Sequence, residues 1–68
     1  MKDDITEALE AMIDAHGLLH VLTGLSLVCS EKADHLRDNW QDIDGDYCWR
    51  KASKAIEVTA NKVSHLSI

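Results

Sequence analysis

Apolar positions along the chain fall into three helical stripes. Ile5, Ala8, Leu9, Met12 and Ile13 recur at steps of three and one, the spacing of one apolar face on an α-helix. Glu7, Glu10 and Asp14 fall off that face. Asp4 with Glu7 three residues on reads as a capping-box pair, and His16-Gly17 as a stop, because glycine readily takes the left-handed conformation that closes a helix. A first helix is therefore expected over residues 4–16.

The second stripe is Leu18, Leu22, Leu25, Cys29, Ala33 and Leu36, predicting a helix over residues 18–38. Leu19, Val21, Leu27 and Val28 add apolar surface on its other faces. Seven of the eleven residues from Leu18 to Val28 are aliphatic, a pattern that demands cover on several sides. The segment is too short and too interrupted to span a bilayer, which takes about 20 apolar residues. The first stripe also extends through Gly17 to Leu19 and Leu27. Glycine inside a helix costs only about 1 kcal/mol, so one continuous helix is the alternative to a break at Gly17.

Residues 39–45 form the clearest interruption, and Asp42 or Asp44 can cap a helix starting there. This third helix is expected over residues 44–66, its seam made of Trp49, Ala52, Ile56, Thr59, Val63 and Leu66. Arg50, Lys51, Lys54, Glu57 and Lys62 take the other faces. The fold class is all-α, a three-helix protomer in a single small domain.

Composition adds a constraint of size. With 68 residues, 7.6 kDa, no Pro and no Phe, the chain favours helix but is too short to bury a generous core. Such chains rely on disulfides, metals or self-association. The start, MKDDITEALE, lacks the basic segment and apolar run of a signal peptide, so a reducing, cytoplasmic setting is expected and the two cysteines stay free. Cys29 lies on the apolar stripe and Cys48 near the start of the third helix. Self-association is the expected support. The protomer is expected to pair into a homodimeric helical bundle through Leu19, Val21, Leu22, Leu25 and Val28.

Candidate chemistry is sparse. Aligning Gly45 with the central glycine of a calcium loop places Trp40 and Lys51 where carboxylates are required, so the motif fails at both ends. His16 and His20 have the i, i+4 spacing that suits a metal, but Gly17 interrupts the register; His35 lies between Asp34 and Asp38 without an apolar pocket. No metal site and no cofactor are expected. Nothing in the sequence resembles a nucleophile–base pair, a phosphate loop or paired carboxylates in an apolar setting, and the chain is not expected to be an enzyme.

Charge divides the chain. Residues 1–30 carry one Lys against five acids, residues 31–46 two bases against six acids, and residues 47–68 four bases against one acid, giving a net charge of -5. Trp40, beside Asp38, Asp42 and Asp44, is the expected anchor for another protein, since Trp is enriched at interface hot spots. The function expected is a non-enzymatic protein-interaction module acting as a homodimer, with no direct contact to nucleic acid or membrane. Two alternatives remain. One is an acidic inhibitor that mimics nucleic acid towards a basic partner through Glu7, Glu10, Asp14, Asp38, Asp42 and Asp44. The other is a helical metal binder using histidines.

Overall fold

The computed structural model describes residues 3–67. It contains α1 (Asp4–His16), α2 (Leu18–His35) and α3 (Ile43–Val63), with no strand among the described residues. The protein is all-α, as its periodicity requires.

The start of α1 is set one residue earlier than the capping-box reading places it. Asp3 is the N-cap, its Oδ1 accepting the Thr6 backbone N–H at 2.8 Å. That hydrogen bond holds the Asp3 carboxyl below its ordinary value. Asp4 and Glu7 lie in the first turn, where the positive end of the helix favours them.

Gly17 breaks the run into two helices. Its backbone has φ +91° and ψ 152°, a conformation essentially reserved for glycine. Its N–H still donates to the Ile13 carbonyl at 2.7 Å and its own carbonyl accepts from Val21 at 3.2 Å, so the corner leaves little backbone unpaired. Across this one residue the helix axis turns through 118°. The continuous-helix alternative does not occur, and α1 and α2 are splayed in a V.

α2 and α3 form an antiparallel hairpin, with Ser26 opposite Ser53 and Asp34 opposite Arg50. The residues buried between them are small: Cys29 and Ala33 from α2, Ser53 and Ala60 from α3. This shifts the seam from the one expected. The two backbones approach most closely where side chains are smallest, so Ser53 and Ala60 turn inward while Thr59 is exposed and Trp49 is 38% exposed. On α2, Ser26 takes the inward position and Leu25 moves to the flank for the same reason.

Both ends of the hairpin also depart from the expected limits. The α-helical pattern of α2 stops at His35 and widens into a π turn over Leu36–Trp40, closed by Gln41 at φ +51°. Asp42 then caps α3, its Oδ1 accepting the Gly45 N–H at 2.9 Å. A side chain at Gly45 would meet the Asp42 carboxylate and Leu36 Cδ1 at less than 3 Å, so these side chains must shift to admit one. At the other end α3 closes at Val63, and Leu66 lies beyond it, exposed.

The chain is far from spherical. Its radius of gyration is 14.0 Å, against about 11 Å for a compact domain of this length. Its accessible surface is 5427 Å², against about 4,300 Å² for a compact monomer of this mass. α1 approaches α2 but not α3 and contributes no buried residue.

Candidate interaction surface

The apolar stripe of α1 is only partly covered within the chain, with Leu9 and Ile13 37% exposed and Met12 45%. Ile5, Leu9, Met12 and Ile13 are all exposed, Ile5 at 72%. Alone in water, helices shorter than about 12–15 residues are marginal, and α1 has 13. An amphipathic helix of this length draws its stability from packing its apolar face, and here that face is only partly packed.

α2 is covered on one side only. Of the residues expected at a dimer interface, Val21 and Leu22 are half-buried within the chain, whereas Leu19, Leu25 and Val28 are exposed. Val21, Leu25 and Val28 follow one another at i, i+4 and i+7, so they line a single flank of α2 outside the hairpin seam. The flank runs on into an open groove of about 380 Å³ between α2 and α3, lined by Val28, Glu31, Lys32, His35, Leu36 and Trp49. Lys32 lies over the Trp49 ring, its Nζ 5.5 Å from the centroid. On the opposite flank Leu27 is 61% exposed. Leu27 is among the residues whose apolar surface falls off the main stripe of the second helix, and the structure leaves it open.

The hairpin tip gathers the expected partner-binding residues, each with a local task. Trp40 is 70% exposed, and its indole Nε1 donates to His35 Nε2 at 3.2 Å. Asp38 accepts from Arg37 Nε at 3.0 Å, Asp42 is the α3 cap, and Asp44 lies in the first helical turn. Ile43 and Tyr47, 75% and 62% exposed, add apolar surface at the start of α3. The sequence signal for them was their i, i+4 spacing off the α3 seam, masked by the first-turn aspartates Asp44 and Asp46 between them.

Arginines compensate the acids at this end. Arg50 Nη2 reaches Asp34 at 2.9 Å and Asp46 at 2.6 Å, tying α2 to α3, while Arg37 Nη2 lies 3.5 Å from Asp34. The hydrogen bond from Arg50 lowers the pKa of Asp34, and the same bond raises that of Arg50. Hydrogen bonding to Asp38 raises Arg37 likewise.

The histidines do not assemble a site. His16 and His20 stay together across the glycine corner, their rings stacked with centroids 5.7 Å apart. His35 is engaged with Trp40 at the far end of α2. Among the described residues no group of three or more His, Cys, Asp or Glu is arranged to hold a metal ion. Cys29 is buried and Cys48 exposed, both as free thiols. No single helix among the described residues is long and apolar enough to cross a membrane.

Comparison of the chain with protein-family models, with curated proteins and with solved structures yields no match.

Proposed function

We propose that the protein is a non-enzymatic interaction module that works as a homodimer. The observation that carries this reading is the partly exposed apolar stripe of α1 alongside Leu25 and Val28 exposed on the flank of α2. The surface in excess of a compact monomer is about 1,100 Å², close to what one partner contributes to a standard interface, about 800 Å². A second copy of the chain brings an identical unsatisfied surface, and a two-fold pairing covers both at once. The hairpin tip, with Trp40, Asp38, Asp42 and Asp44, then projects from the paired body as a surface for another protein.

The reading as an acidic decoy for a basic partner has less support. Asp34, Asp38 and Asp46 already hold Arg37 and Arg50, which dilutes the rows of carboxylate such mimicry needs.

Molar mass in solution by light scattering, over a concentration series, tests the proposal. The expected result is a species of twice 7.6 kDa that dissociates only on dilution. A mass of 7.6 kDa at every concentration overturns it.

A further inference from the structure

Resting on the homodimer reading, we infer how the two copies fit: α1 of each chain lies in the V between α1 and α2 of the other, its apolar stripe against the partner flank of Val21, Leu25 and Val28. Three observations lead there.

First, α1 packs within the chain only where it approaches α2, and nothing in its own composition replaces the cover it lacks. Asp3 and the first-turn acids support its start, but caps and charges each contribute only tenths to about 1 kcal/mol. The missing term is fuller burial of Leu9, Met12 and Ile13.

Second, the receiving surface has the right length. From Val21 to Leu36 the exposed flank and the groove that continues it span 15 residue steps, about 22 Å of helix, and the 13 residues of α1 span about 20 Å. The flank is also free of acids until Glu31, and Lys32 stands at its far end. An arm with five carboxylates and no base between residues 3 and 14 meets apolar surface there, followed by the opposite charges of Glu31 and Lys32. The same five carboxylates disfavour an anionic lipid surface as the occupant.

Third, the 118° corner sets α1 at a steep angle to α2, and Ile5 and Met12 on one face and Leu25 and Val28 on the other remain exposed. Reciprocal exchange across a two-fold axis fills both with one set of contacts and leaves no open end for further growth.

Intermolecular contacts decide the matter. Mixing 13C-labelled with unlabelled full-length protein and recording isotope-filtered NOEs is expected to connect the methyls of Leu9, Met12 and Ile13 with those of Leu25 and Val28 across chains. In parallel, Leu9→Asp is expected to halve the molar mass. Leu9 lies outside the α2–α3 core, so that variant keeps the hairpin, read from the amide chemical shifts of the buried Ser53 and Ala60, while losing at most the far-ultraviolet signal of α1. A dimer whose α1 shows no intermolecular NOE, or one that persists undiminished in Leu9→Asp, overturns this arrangement and leaves the homodimer standing. A wild-type protein monomeric throughout overturns both, and assigns the V to a different occupant.

Discussion

Ser26 and Ser53 exchange hydrogen bonds across the hairpin: each hydroxyl donates to the other residue's backbone carbonyl, at 3.0 and 2.8 Å, with the two oxygens 3.1 Å apart. Those carbonyls already serve their own helices, so the pair adds a second acceptor role to each without breaking a ladder bond. Such a clasp fits only between helices that approach closely, which the surrounding Cys29, Ala33 and Ala60 allow. Serine here is a packing residue as much as a polar one.

Replacing either serine with Ala is expected to cost about 1 kcal/mol, a typical net hydrogen-bond contribution. The double variant should cost less than the two singles together, because they share the same contacts. Ser53→Leu forces the helices apart and is expected to cost about 1–3 kcal/mol. Chemical denaturation of the four variants followed by circular dichroism checks the ranking, which reverses if the seam is loosely packed.

Leu22 and Leu25 are neighbours in the sequence stripe but differ in their surroundings. Leu22 is half-buried within the chain and Leu25 is 41% exposed on the free flank. Leu22→Asp is expected to unfold the hairpin, since a carboxylate drawn partly out of water has no partner there. Leu25→Asp is expected to leave the hairpin folded and weaken self-association at least tenfold. Molar mass and helicity measured on both variants separate the two effects.

Gly45→Ala sets a methyl group against the Asp42 carboxylate and Leu36, at the start of α3. The cap must move or α3 must shift, and a loss of about 1–3 kcal/mol is expected from the overpacking. A melting temperature unchanged within about 1 °C would show that the cap yields freely; the expected loss amounts to several degrees for a domain of this size.

Acid should loosen the hairpin tip at a definable pH. The folded pKa of Asp34 lies below its ordinary value of 3.8 because Arg50 donates to it. The stabilisation is therefore complete above 3.8 and is lost as pH falls through the lower folded value. Asp3 follows the same direction through its bond to Thr6. Because these groups are exposed, the effect is expected to be small and to shrink with added salt. Thermal melts from near-neutral pH into the acidic range should show a decline confined to the acidic end, with a smaller decline in Asp34→Asn.

The three helices were legible because their apolar period is regular and because Gly17 and Asp42 punctuate it. The face by which α2 meets α3 was less so. Ser26, Ser53 and Ala60 carry almost no hydrophobic signal, and a reading based on apolar recurrence selects Leu25 and Thr59 in their place. The π turn at Leu36–Trp40 has no local signature either: Arg37, Asp38 and Asn39 suit an α-helix end equally well, and the left-handed Gln41 that closes the turn is neither Gly nor Asn. Leu25 and Val28 were identifiable as apolar and in need of cover, and the structure leaves both exposed. The openness of α1 lay beyond pattern analysis, since an amphipathic stripe looks the same whether its cover comes from the same chain or another.

The corner at Gly17 also makes α1 a lever. A helix of 13 residues pivoting on one pair of dihedral angles is about 20 Å long, and a rotation of about 10° at the pivot carries its far end about 3 Å. That displacement approaches the width of a methyl group. A side chain at the tip, such as Ile5, is therefore aimed by the backbone of a residue twelve positions away, and any surface that grips α1 must also fix that angle.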